Sequence, residues 1–106
     1  FNRRSSPRVS LGIPVSYAVG DSLSTATTLN LSKGGIAIRA MTSFELSSKA
    51  RIRFRLPGTK REIEADARVV WTDQRGGMGL QFERVDAADQ VAIDGFLDRY
   101  FDSATA

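Results

Sequence analysis

The chain has 106 residues, 42% hydrophobic and 25% charged, with a formal charge of +3 and neither Cys nor His. That is one domain of ordinary composition with enough apolar residues for a core. The missing residue types remove disulfides, thiolate or imidazole zinc sites, and nucleophilic triads that rely on a His base.

Twelve carboxylates remain, and no pair of them is set among apolar neighbours in the way that drives two pKa values apart. The chain therefore reads as a binding domain and not an enzyme. No apolar run reaches the ~20 residues of a membrane-spanning helix, and no charged-then-apolar leader opens the chain. The lack of Cys fits a cytoplasmic setting, and a first residue of Phe1 suggests a piece of a longer protein.

In chain order, residues 1–8 are polar and rich in arginine (Arg3, Arg4, Arg8), and are expected to be flexible when nothing is bound. Residues 9–19 have strand character, with Ile13, Val15 and Tyr17 on one face and Pro14 marking an edge or a bend. Residues 23–29 are Thr-rich, which favours a strand, and residues 35–41 form a short apolar one.

Between those two runs lies Asn30-Leu31-Ser32-Lys33-Gly34-Gly35, more polar than a plain turn requires. In residues 51–56, Ile52, Phe54 and Leu56 alternate with arginines. After the Pro57-Gly58-Thr59 turn, Ile63, Ala65, Ala67, Val69 and Trp71 share one face, and Glu62, Glu64, Asp66 and Arg68 the other. Gly76-Gly77 turns the chain again, and Met78, Leu80 and Phe82 alternate with Gly79, Gln81 and Glu83.

These last three strands predict an antiparallel meander with one face wet. Six short strands whose edges all need protection predict an all-β, mainly antiparallel fold, a small six-stranded barrel over residues 9–85. The period then changes. Ile93, Phe96, Leu97, Tyr100 and Phe101 make the stripe of a C-terminal α-helix over residues 86–102, which is expected to cover a barrel mouth. Asp86 suits the N-cap and Asp89 the positive end of the helix dipole.

Two elements carry candidate function. Asn30 offers an amide donor and a carbonyl acceptor, Ser32 a hydroxyl, and the glycines allow positive φ and close approach of a ligand, or an anion-binding nest of N–H groups. The plainer alternative is a strand connection whose polar side chains bond their own backbone. Upstream, Arg4 and Arg8 lie on a segment stiffened by Pro7, and guanidinium groups bind phosphate in a two-pronged fashion and stack on purines. The plainer alternative there is a solvated basic tail.

The combination is distinctive. An RxxxR segment (Arg4, Arg8) about twenty residues ahead of an [D/N]xSxxG loop (Asn30, Ser32, Gly35), inside an all-β domain, resembles the PilZ family of cyclic di-GMP receptors. Residues 67–71 and 77–82 look like that family's final hairpin, and a helix follows it there too. The resemblance implies a six-stranded PilZ-type barrel that binds cyclic di-GMP. Arg4 and Arg8 would bond a guanine edge or phosphate, with Asn30 and Ser32 facing guanine and phosphate from the barrel surface and Gly35 shaping the loop. A basic residue before RxxxR, here Arg3, goes in this family with an intercalated ligand dimer.

The expected mechanism is a disorder-to-order switch in which the arginine-rich segment closes over the ligand. An attached domain or a partner protein then reads the change. Trp71 stands either near the ligand or in the core. Two rival readings are a nucleic-acid-binding barrel and an interaction module that needs no nucleotide. The first would use Lys49, Arg51, Arg53, Arg55, Lys60 and Arg61 on a phosphate backbone. That ribbon lacks interleaved aromatics, and pairing with Glu62, Glu64 and Asp66 across the hairpin is the plainer account, so a nucleic-acid partner is not expected.

Overall fold

The computed structural model describes residues 8–40, 44–59 and 61–105, the last five by their backbone alone. Seven strands and one helix follow in order: β1 (Val9–Ser10), β2 (Pro14–Val19), β3 (Ser22–Leu31), β4 (Gly35–Arg39), β5 (Lys49–Arg55), β6 (Glu62–Thr72), β7 (Gly77–Val85) and α1 (Ala87–Thr105). Every strand pair is antiparallel. The sheet runs β3-β2-β5-β6-β7-β4, and β4 pairs back with β3, so six strands close into a barrel. Closure removes the free edges that a sheet of this size would otherwise expose.

The seventh strand, β1, is an addition to the six expected; it lies on β3 beside the start of β2. The gap between β1 and β2 is bridged by Leu11 N–H to the Leu29 carbonyl and Thr28 N–H to the Ile13 carbonyl.

Period-two alternation sends one face of each strand into the barrel. Val15 and Tyr17, Ile36 and Ile38, Ile52 and Phe54, Ile63 to Val69 in steps of two, and Met78 and Leu80 are all buried there. From α1, Ile93 and Leu97 complete the same cluster, with Ala92 and Phe96 packed at its margin. The helix reaches Lys33, Arg61 and Glu64, at the end of the barrel where β3 and β5 finish and β6 begins, and so sits over that mouth.

Three sequence expectations change in the structure. Trp71 does not share the buried face of β6. Between Val69 and Trp71 the register with β7 shifts by one residue, so Val70 and Trp71 both turn outward, 46% and 40% exposed. Such a bulge re-aims a side chain at the cost of one ladder position. Tyr100 is 45% exposed, and its ring lies 6.5 Å from that of Phe96 at the margin of the core. The side chain of Phe101 lies outside the described residues. Asp89 does more than complement the helix dipole. It is nearly buried, accepts from Arg61 at 2.8 Å and faces the Glu64 N–H at 3.4 Å.

That contact ties the helix to the start of β6. Asp89→Ala is expected to lower stability by about 1.5–2 kcal/mol, the lower part of the range for a charged hydrogen bond because Arg61 remains half in solvent. Asp89→Asn, which keeps an acceptor for the backbone N–H, is expected to recover part of the loss in urea unfolding.

Candidate functional site

In plain alternation along β3, a buried Thr28 would put Leu29 outside and Asn30 inside. The structure shows otherwise. Thr28 opposes Ile38, but the next pair is Asn30 with Ala37, and Leu29 is an extra residue in the ladder. This bulge reverses the phase, burying Leu31 in the core and turning Asn30 out to the barrel surface. The first polar side chain of the candidate loop is thus presented by the last residues of a strand, and the connection proper is Ser32-Lys33-Gly34.

Arg8 enters from β1. Val9 opposes Leu31 and Ser10 opposes Asn30, which brings Arg8 alongside the loop. Its Nη1 donates to Asn30 Oδ1 at 2.7 Å, joining the two elements across 22 residues of sequence. Arg3 and Arg4 lie outside the described residues.

Ser32 is buried, 4% exposed, and holds the loop together. Its backbone N–H and its hydroxyl both donate to the Gly35 carbonyl, at 2.9 and 3.3 Å. The Gly34 carbonyl accepts from Phe82 N–H at 2.9 Å, and the Lys33 carbonyl accepts from Gln90 of α1 at 3.1 Å. Lys33 Nζ also lies 3.3 Å from Asp98. The loop is therefore braced on β7 and on the helix.

The two glycines do not serve as expected. Positive φ among the glycines occurs at Gly20, Gly58 and Gly76, and neither Gly34 nor Gly35 adopts it, so the left-handed turn of an anion nest is not formed. Gly35 is required for a different reason. A Cβ there would lie 2.5 Å from the Leu80 carbonyl oxygen of the paired strand, while a Cβ on Gly34 would meet nothing within 4 Å.

Beyond Asn30 the same outer row continues strand by strand. Asn30 pairs with Ala37, Ala37 with Gly79, and Gly79 with Trp71. Ala37 is buried yet lies outside the core cluster, as befits a small side chain on the outer face beneath larger neighbours. The indole of Trp71 occupies the space a Cβ on Gly79 would fill. The result is a low floor of Ala37 and indole, bounded on one side by Asn30 and its bonded arginine. Sequence reading named Trp71 and missed Ala37 and Gly79. The available signal was a glycine at an outward position of an otherwise regular strand, which marks a close approach.

The basic ribbon on the far side of the barrel is partly neutralised. Arg51 bonds Asp66 at 3.2 Å, Arg53 bonds Glu64 and lies 3.8 Å from Glu62, and Arg61 bonds Asp89. Lys60 lies outside the described residues. The pairs of Arg51 and Arg53 are the cross-hairpin pairing of a wet face, and among the described residues Lys49 and Arg55 are the ribbon cations without an ion pair.

Comparison with known proteins places this geometry. The sequence pattern of the family described as PilZ domain matches residues 2–99. Among solved structures, the Bacillus subtilis inhibitor of motility MotI/DgrA matches with a TM-score of 0.78 at 26% identity, over 96% of this chain and 53% of that one. This chain thus spans about half the length of MotI. The MrkH–c-di-GMP complex of K. pneumonia matches with a TM-score of 0.76 at 18% identity, over 99% and 54%. The PilZ domain of Escherichia coli YcgR with c-di-GMP matches with a TM-score of 0.69 at 15% identity, over 98% of each chain. No curated protein matches the sequence at a significant level. With the family pattern covering nearly every residue and the closed six-stranded barrel carrying its loop and helix, the chain belongs to the PilZ domain family.

Proposed function

We propose that this domain is a receptor for cyclic di-GMP. The observation that carries the reading is the Arg8–Asn30 bond, which unites the two family motifs at the edge of the Ala37 and Trp71 floor. A cyclic dinucleotide needs cations for its phosphates, donors for the Hoogsteen edge of guanine and a flat surface for its bases. Arginine matches the O6 and N7 acceptors of guanine by geometry, and an exposed indole offers a stacking face. In this reading Arg8 exchanges its bond to Asn30 for guanine or phosphate, Asn30 bonds the base, and Ser32 and Gly35 keep the loop in the shape that presents them. Arg4 joins from the segment ahead of β1, and Arg3 supports a second, intercalated ligand molecule.

Residues 1–8 act as the ligand-wrapping segment, and residues 9–85 and 86–102 as barrel and helix of one domain. Fixing the arginine-rich segment costs roughly 1–2 kcal/mol per ordered residue, which the charge-assisted bonds to phosphate offset. The output passes to an attached domain or a partner protein. The bracing of Lys33 by Gln90 and Asp98 gives the loop a direct route to α1. The domain is a binding module with no catalytic step, working in the cytoplasm.

The test is calorimetric titration with cyclic di-GMP and, separately, with a single-stranded oligonucleotide. Cyclic di-GMP is expected to bind, to raise the thermal midpoint and to change the emission of Trp71, the one tryptophan of the chain. Absence of heat with cyclic di-GMP, or tighter binding of the oligonucleotide, overturns the reading.

A further inference from the structure

We propose that Arg39 is a further phosphate-binding residue of this face, so that the site takes a ligand with two anionic groups, one met by Arg8 and one by Arg39. The inference rests on the reading of the domain as a cyclic dinucleotide receptor and extends it to a residue outside both motifs.

The placement follows from β4. Ile36 and Ile38 point into the core, so Ala37 and Arg39 point out. Arg39 therefore stands on the same surface as the Ala37 floor, about 7 Å further along the strand. Arg8 lies on the other side of that floor. Val9 opposes Leu31 and Leu31 opposes Ile36, which puts Arg8 level with Ser32 and Gly35. Four residues of strand, roughly 14 Å, separate that level from Arg39. The two arginine positions thus flank a low apolar floor, an arrangement suited to a ligand whose bases lie on the floor while its phosphates are met from either flank.

The electrostatics of Arg39 differ from those of the paired arginines. Arg51, Arg53, Arg61 and Arg68 each pair with a carboxylate. Among the described residues Arg39 makes no ion pair; its Nη1 donates to the Arg75 carbonyl at 3.3 Å, which orients the guanidinium without cancelling its charge. Asp73 lies in the same turn, but its Oδ1 accepts from the N–H groups of Arg75 and Gly77 at 2.8 and 2.9 Å. Those bonds, Gly77 first, hold its carboxyl below the usual carboxylate range, with Arg39 a smaller contributor. Arg39, Arg75, Pro14, Thr25 and Thr27 line a shallow recess of about 510 Å³. A planar, oriented guanidinium without an ion pair of its own, at a recess, is suited to a two-pronged phosphate contact.

The experiment is calorimetric titration of the parent, Arg39→Gln, Arg39→Ala and Arg55→Gln with cyclic di-GMP. Arg39→Gln keeps a donor for the Arg75 carbonyl and removes the charge. Arg55→Gln removes the same charge from β5, a strand that does not border this face. Both Arg39 variants are expected to bind at least tenfold more weakly at an unchanged thermal midpoint, with Arg55→Gln within twofold of the parent. Parent-like affinity in the Arg39 variants, or an equal loss in Arg55→Gln, overturns the role of Arg39 while the receptor reading stands. A parent that does not bind overturns both.

Discussion

Replacing Arg8 by alanine is expected to weaken cyclic di-GMP binding by about 10- to 150-fold while leaving the thermal midpoint within a degree or two of the parent. The magnitude is that of one charge-assisted contact, about 1.5–3 kcal/mol, at about 1.4 kcal/mol per tenfold. The fold is insulated because Arg8 precedes the two-residue β1 and bonds Asn30, an outward side chain. Arg8→Lys keeps the charge but loses the planar fork and is expected to restore only part of the affinity. Asn30→Ala removes the other half of the pair and is expected to lower affinity to a similar degree. Arg4, outside the described residues, is expected to respond like Arg8. Parent-like binding isotherms for Arg8→Ala would take this residue out of the site.

The second large effect separates two adjacent glycines. Gly35→Ala places a methyl group 2.5 Å from the Leu80 carbonyl oxygen, where both partners are backbone in paired strands and neither can swing aside. Overpacking of this kind costs about 1–3 kcal/mol, which lowers the midpoint of a domain this size by roughly 5–20 °C. Gly34→Ala meets nothing within 4 Å, and Gly34 has no positive φ, so it is expected to be nearly neutral. Thermal unfolding of the two variants side by side checks the assignment. Equal midpoints would mean that the loop, not the β4–β7 contact, accounts for the glycine. The same comparison bears on binding, since a shifted β4 also moves Ala37 and Arg39 on the outer face.

Much of the architecture is written in local pattern. Arginine alternating with Ile52, Phe54 and Leu56 requires a strand with one wet face, because any other backbone would bury charge. The change to three- and four-residue steps at Ile93 and Leu97 requires a helix with one buried stripe. The motif residues were equally legible, since their spacing needs no coordinates. The strand failures share one cause: Trp71 and Asn30 lie at ladder irregularities, where a single inserted residue reverses which side faces water.

Trp71 illustrates this. Five residues of faultless alternation assign it to the core, and one bulge against β7 turns it outward over Gly79. Asn30 is the converse, its exposure resting on the extra residue Leu29. Ser32, chosen for its chemistry toward a ligand, and Gly35, chosen to shape the loop, hold the hairpin closed: one donates twice to the other's carbonyl, and the other yields space to Leu80.

The order of residues alone determined that this chain closes strands around an apolar interior, caps them with an amphipathic helix and carries two arginine- and asparagine-bearing signatures. Side-chain polarity and period are properties of neighbours in the chain, and these features need nothing more. Tertiary pairing alone decided that Arg8 meets Asn30, that Ala37 and Trp71 lie in one row with them, and that Arg39 faces the same surface with no ion pair among the described residues. Register between distant strands sets those relations, and a shift of one residue in a ladder, invisible to any periodicity, exchanges inside for outside.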